Sequence, residues 1–493
     1  MRKSLLPVLP LLFALAGCSA SSFSAFSGSL ADPSFPSEEG EGYYLASEVK
    51  PLQCFDAEID VSTRQKAIGL YSPYGETRYA IPSTGEVPLL VIPVVFDSGA
   101  SIDIERIEKA FFGVSSNTSY QSVSSYYHLS SGGRLLLRGE VAPESFRCPY
   151  TAEELSSYSG GTEAKRVLSS IYEQALSWYG ERFPMSYTRF ATYYGDEPIP
   201  VYFLYDAPYS TSSSSLLWAF SINSPAPVSW SSLYMMGEGK EPDPHTYIHE
   251  VGHLLGLPDY YDTTSSDLRI SPLGRMDMMD CSVGDHNAFS KYLLGWGMPY
   301  VVTGECSITL NQATYNNQMV LLSPSWNQTP YDEYLLLEFY TPGILNGPDA
   351  DKSRGDGARL PSYPGIKAYR VDARLALYEN NRKGGILSPS TVLGESGLDF
   401  NSDNSLSSPY LIQLLDKSSD SASLSPYFVA GEKEESFSES GLSLTRSEAL
   451  FYKGDGIGKG DYPDMGFSFG ELSIGFEVRE TTSSLATLDF FYL

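Results

Sequence analysis

The residues best suited to chemistry are gathered in one short stretch. The chain has 493 residues and only five histidines, at 128, 245, 249, 253 and 286, so four of the five fall between 245 and 286. Within DPHTYIHEVGHLLGLPDYYD (243–262), His249 and His253 stand four apart. On a helix that spacing stacks two imidazoles on one face. There they can grip a single metal ion, with bonds of about 2.0–2.1 Å if the ion is zinc. Glu250, beside the first imidazole, is placed to polarise a water on that metal. With so few histidines, H-E-x-x-H does not assemble readily by chance, which makes the signal specific.

The following residues extend the pattern. Gly256 stands where the helix must end and turn, a place that favours a residue tolerant of positive φ. Asp259 then arrives six positions after His253 and can swing back as a third ligand. A carboxylate is shorter than an imidazole, so its loop must approach the metal more closely; Asp262, Asp280 and Glu338 are alternatives for that place. His245 lies on the same face one turn before His249. It is about 12 Å along the axis from His253, so both cannot bind one ion, and it is expected as a surface histidine of the first turn.

Such a helix needs a cap, a core face and a scaffold. Asp243 can cap it, with Pro244 at the first helical position, and Ile248, Val251 and Leu255 would face the core. Upstream, 88–96 (PLLVIPVVF) reads as a buried strand, 102–112 and 122–129 as helices, 130–133 as a turn and 134–141 as a strand. Residues 163–179 predict a helix with Val167, Ile171, Ala175 and Trp178 inward, and 201–205 and 216–220 predict further strands. Beyond about Pro299, short apolar runs at 319–322, 334–340, 365–371, 472–478 and 485–493 alternate with Gly, Pro, Asn and Ser clusters. That texture predicts a mainly β, sandwich-like region, with 347–357 and 395–425 as long loops. The expected fold class is therefore α+β: a mixed sheet with an active-site helix over 86–299, then a β-rich domain over 300–493.

Composition bounds the partners. With 42% hydrophobic and 19% charged residues the chain can build sizeable cores. Its 33 basic and 60 acidic residues leave a net charge of −27, which repels phosphate backbones and excludes nucleic acid as a partner. No pattern speaks to oligomeric state. At the N-terminus, Arg2 and Lys3 precede an apolar run from Leu5 to Ala16, too short to span a bilayer and shaped like a secretory signal. It ends in Leu15-Ala16-Gly17-Cys18, which resembles the lipobox of bacterial lipoproteins. That resemblance implies a signal over 1–17, a lipid on Cys18 that attaches the protein to a membrane, and an extracytoplasmic, cell-surface location. Residues 18–45 read as a flexible tether, and 46–85 as a segment with no assigned role. Cys54, Cys148, Cys281 and Cys306 remain, enough for two disulfides, and no C-x-x-C pair is present. Asp349, Asp351 and Asp356 carry the charge for a calcium ion, although Arg354 replaces the glycine of an EF-hand loop. Gly466–Gly470 matches G-x-S-x-G, but no histidine follows it, as an α/β-hydrolase would require.

HEVGHLLGLPD (249–259) is similar to the long zinc motif of metzincin peptidases, with Asp259 in place of the usual third histidine. GRMDMMD (274–280) resembles the methionine turn that floors such sites, with Met279 as the floor residue and Met278 as the alternative. The wider resemblance is to the immune inhibitor A type of secreted zinc metallopeptidases. Besides the zinc motif it rests on GDHNAFSKYLLGW (284–296), DEYLLLEFYTPGILN (332–346), GIKAYRVDARL (365–375) and SVSSYYHLSSGGRLLLRGEV (122–141). It implies a zinc endopeptidase acting on proteins or peptides, with His249, His253 and Asp259 on the metal and Glu250 as general base and acid. His286, within GDHN, could donate to the developing oxyanion, or hold the fold through Asp285. A reading of another class is a non-catalytic surface binding or adhesion lipoprotein on a peptidase-like scaffold. A metal-dependent hydrolase of non-peptide substrates would share the same site.

Overall fold

The computed structural model describes residues 30, 40–46, 80–97, 101–158, 161–210, 215–223, 226–261 and 272–312. It further describes 317–326, 328, 330, 332–351, 360–373, 375–379, 382–386, 398–400, 410–415, 449–458, 467 and 470–493. The signal, Cys18, Cys54, Asp262 and Asp356 lie outside the described residues. The chain is a mixed α/β protein with several sheets.

A short strand β1 (Tyr43–Leu45) comes first, so the end of the expected tether is structured. The next strands, β2 (Gly85–Val95), β3 (Leu135–Val141), β4 (Phe146–Arg147), β5 (Val201–Tyr205), β6 (Phe220–Ile222) and β7 (Val228–Ser232), make one sheet. Its order is β3-β2-β5-β7-β6, with β4 also beside β2. All pairings are parallel except that of β6, an antiparallel strand at the edge. A parallel sheet is covered on both faces, so its inner strands must be apolar on both sides. In β2, Val87, Leu89 and Val91 enter one core while Leu90, Ile92 and Val94 enter another. The first core is completed by α1 (Ile104–Phe112) and α2 (Val123–Ser130), the second by α3 (Ala152–Ser157), α4 (Gly161–Arg182) and α5 (Pro184–Tyr194). Val167, Ile171 and Ala175 are buried as their spacing predicts.

The expected strand at 216–220 is instead a turn, and β6 begins only at Phe220. Backbone groups there are claimed by side chains: Ser215 Oγ accepts from the Leu217 amide, Trp230 Nε1 donates to the Leu216 carbonyl, and the Tyr205 hydroxyl donates to the Leu217 carbonyl. These bonds take up an amide and two carbonyls that a ladder would otherwise use.

Three short helices and a second set of strands follow: α6 (His245–Leu254), α7 (Met278–Cys281), α8 (Ala288–Leu293), then β8 (Pro299–Val302), β9 (Cys306–Asn311), β10 (Met319–Leu322) and β11 (Glu333–Tyr340). After α9 (Gly347–Asp351) come β12 (Gly365–Asp372), β13 (Leu375–Glu379), β14 (Arg382–Ile386), β15 (Leu398–Phe400), β16 (Ile412–Leu414), β17 (Gly456–Ile457), β18 (Ile474–Thr481) and β19 (Leu485–Tyr492). Thus the expected loops contain a helix at α9 and strands at β15 and β16. One sheet runs β1-β8-β10-β11-β12-β16, another β17-β18-β19-β9, and β14-β13-β15 form a third. Leu335, Leu337 and Phe339 of β11 pack with Phe476 and Val478 of β18 and Leu488 of β19, between the first two of these sheets.

The opposite face of β11 presents Tyr334 and Leu336 to the core that also holds Val87, Val251 and Met279. That single core runs from Ala46 to Leu450, so the boundary read at 299/300 does not divide the packing. Polar ties cross it too. Lys367 Nζ donates to the Met276 carbonyl at 3.2 Å, and the Leu414 amide to the Pro272 carbonyl at 2.9 Å. Cys148 and Cys306 are free thiols rather than disulfide partners; they sit in different parts of the fold, and burial pushes each up to about 11. Among the described residues, no helix is long and apolar enough to cross a membrane.

Candidate metal centre

The helix α6 is built as its sequence predicts, shifted by one residue. Asp243 Oδ1 accepts from the His245 amide at 3.2 Å, and Pro244 sits just outside the first turn. Ile248, Val251 and Leu255 are fully buried. Gly256 has φ +94°, the left-handed region that a side chain would disfavour. It turns the chain back along the helix, where the Leu257 amide donates to Gly252 and the Tyr260 amide to Met279. Those two bonds bring Asp259 over the histidine face.

Asp259 Oδ1 lies 3.1 Å from His249 Nε2 and 3.3 Å from His253 Nε2. The other nitrogens are committed: His249 Nδ1 donates to the Met278 carbonyl and His253 Nδ1 to the Leu257 carbonyl, each at 2.8 Å. A neutral imidazole with its proton on Nδ1 carries a lone pair on Nε2. Two such lone pairs therefore face a carboxylate, an arrangement that repels unless a cation, either a proton or a metal, lies among them. Around a tetrahedral ion with bonds of about 2.0–2.1 Å, ligand atoms stand about 3.3 Å apart. The observed spacings fit that ion, and carbonyl partners on the outer nitrogens are the usual way of orienting metal-binding histidines. Among the described residues, His249, His253 and Asp259 are the one group of three such side chains with ligand atoms within 4.8 Å of one another.

The electrostatics follow from this packing. Burial opposes a charge on His253, but the Asp259 carboxylate outweighs it and raises the pKa to about 9. Asp259, against its own burial, is held well below the usual carboxylate range, first by His253 and then by His249. Burial pushes Glu250 upward, and His253, His249 and the Ser221 hydroxyl moderate the rise. A histidine whose folded pKa exceeds its unfolded value of about 6.5 contributes stability that is complete below that value. The contribution disappears as pH rises through the folded value. We therefore expect the metal-free chain to lose melting temperature progressively between about pH 6.5 and 9, with little further loss above that. His253→Ala should flatten that decline in a pH series of thermal melts, and an unchanged slope would contradict the pairing.

Beneath the helix, Gly252 makes room for Met279. A Cβ at position 252 would stand 2.3 Å from the Met279 sulfur and 3.0 Å from its methyl, so the thioether lies directly against the helix between the two ligands. Tyr127 supports the same turn by donating to the Ile248 carbonyl at 2.7 Å. Glu250 is buried beside the triad, and Ser221 of β6 donates to its Oε2 at 2.8 Å. Asn223 Nδ2, just past β6, donates to the His253 carbonyl at 2.9 Å. Burial, with Asp259 and Glu250 nearby, pushes the Tyr261 phenol well above its ordinary range. None of Ser221, Asn223, Tyr127 and Tyr261 stood out in the sequence.

Other candidates fall elsewhere. Asp280 accepts from the Arg275 amide, and Glu338 accepts from the Tyr369 hydroxyl beside Lys367, so both are engaged away from the triad. His245 is buried rather than on the surface. Its ring stacks on Tyr120 at 3.9 Å, Nδ1 meets Asp243, and Nε2 lies 3.3 Å from Asp349. Asp349 also accepts from the Gly284 amide at 2.7 Å, so it is turned inward rather than towards a calcium site. His286 is not brought to the triad. Its ring is closed in by Tyr126, Tyr127 and Trp296 at 5.6, 5.7 and 5.9 Å, and burial, with Lys291 and His249 nearby, lowers its pKa well below the ordinary value. Asp285 does hold the fold, through Ser130, Lys291 and the His286 amide.

No protein-family model matches this chain, and no curated protein matches it significantly.

Proposed function

We propose that this chain is an exported, lipid-anchored zinc endopeptidase with a metzincin-like catalytic region and a sandwich-like C-terminal β region. The reading rests on one observation above the others. Asp259 Oδ1 and the Nε2 atoms of His249 and His253 converge at 3.1 and 3.3 Å while both Nδ1 atoms are fixed by carbonyls. These three residues would hold zinc and leave a fourth position open. Bound zinc supplies a Lewis acid for the scissile carbonyl and lowers the pKa of water towards about 7. Glu250 takes the proton of the attacking water and returns it to the leaving amine. Burial helps in this, because a base that must also give its proton back works best with a pKa raised towards the working pH. Met279 packs the helix from below and keeps the two imidazoles in register. The lipid on Cys18 and the extracytoplasmic location rest on the Leu15–Cys18 pattern, and protein or peptide substrates follow from the reaction.

The test measures zinc content and casein cleavage together on the purified full-length chain, with and without a chelator. About one zinc per chain, with cleavage abolished by the chelator and restored by zinc, is the expected result. Zinc without cleavage would favour a binding lipoprotein, and a folded chain with no zinc would overturn the metal site itself.

A further inference from the structure

We propose that Ser221 is a positioning residue for Glu250, an inference that rests on the peptidase reading. Ser221 sits in the middle of β6, the antiparallel edge strand beside the active-site helix. Its Oγ lies 2.8 Å from Glu250 Oε2, 3.0 Å from the Glu250 backbone carbonyl and 2.8 Å from Ser229 Oγ. A hydroxyl has one proton to give and two lone pairs to accept with. While Glu250 is ionised, that proton goes to the carboxylate, because a hydrogen bond to a charge is the stronger one. Oε2 is then held, and Oε1 is left to meet the water.

Once Glu250 has taken a proton, the same atoms serve the other state. The proton taken from water sits on Oε1, so Oε2 stays an acceptor and the Ser221 hydroxyl keeps donating to it. The contact at Ser221 is thus the same in both states, with no shift of heavy atoms. A general base that must gain and lose a proton in each turnover therefore keeps its carboxylate in place throughout. No bond between heavy atoms forms or breaks at Ser221, and the transferred proton stays on Glu250 until the leaving amine collects it.

The bland reading is that Ser221 only fastens β6 to the helix, as Asn223 does through the His253 carbonyl. The two are separable, because Asn223 does not touch the carboxylate. On the zinc-loaded full-length chain, Ser221→Ala should lower kcat about tenfold, the scale of one charge-assisted hydrogen bond. Zinc content should stay at the wild-type level, KM should stay within about twofold, and Ser221→Thr should recover most of the loss. Asn223→Ala calibrates what loosening β6 does by itself. A Ser221→Ala effect no larger than that of Asn223→Ala, or one that follows zinc loss or KM, would overturn the proposal. Crystal structures of the metal-free wild type and Ser221→Ala give a readout independent of turnover. The Glu250 carboxylate should leave its wild-type position in the variant, and an unmoved carboxylate would overturn the proposal whether or not casein is cleaved. Failure of the peptidase reading would show separately, as a wild type that neither holds zinc nor cleaves.

Discussion

Glu250→Gln should bind zinc as the wild type does and cleave casein about 10²- to 10⁴-fold more slowly, the range that a positioned acid–base group supplies. The two effects separate because Glu250 is not among the converging ligand atoms; its carboxylate is turned to Ser221 instead. The amide keeps the shape of the side chain and can still bond Ser221, so the fold has no reason to respond. What it loses is the capacity to hold a proton between the attack of water and the departure of the amine. Zinc analysis beside initial rates on casein reads both halves. A variant with full activity would remove Glu250 from the mechanism, and one without zinc would mean that the carboxylate orders the ligands as well.

Asp259→Ala should weaken zinc binding by more than about 100-fold, the upper end of what losing an outer-shell partner costs. The carboxylate is the only negative charge among the three converging side chains, and it is the group that His249 and His253 both face. Removing it leaves two imidazoles still pinned by the Met278 and Leu257 carbonyls, a preformed but incomplete grip. Competition with a fluorescent zinc chelator measures the change directly. Affinity within a few-fold of the wild type would show that another carboxylate completes the site, and Asp262 would then be the residue to replace next.

The parts of the site that were legible in the sequence are those whose geometry is local. Two histidines four apart share a helical face whatever surrounds them, and a glycine after the last turn announces the reversal that carries Asp259 back. The buried run of β2 was equally plain, because a strand covered on both faces has no alternation to mistake. The parts that escaped depend on distant chain. His245 reads as a first-turn surface residue until Asp349, 104 positions later, is packed against it. Ser221 lies on a three-residue strand with no periodicity of its own, placed only by pairing with β7. Cysteine counting suggested staples, yet Cys148 and Cys306 are free thiols, since an even number says nothing of which side chains meet. His286 carried the right chemistry for an oxyanion donor, and the aromatic rings that enclose it come from α2 and from Trp296.

The core that runs without a break from Ala46 to Leu450 bears on modularity. Residues 272–276 hang from a far sheet, through Lys367 to Met276 and Leu414 to Pro272, so polar bonds as well as packing tie the two halves. The two halves are coupled in so far as they share one interior. An ion seated among the histidines would then lend resistance to heat to strands that never approach it. Damage to those strands would in turn be felt as a loosened floor beneath the metal. The β-rich half thus frames the helix that carries the histidines.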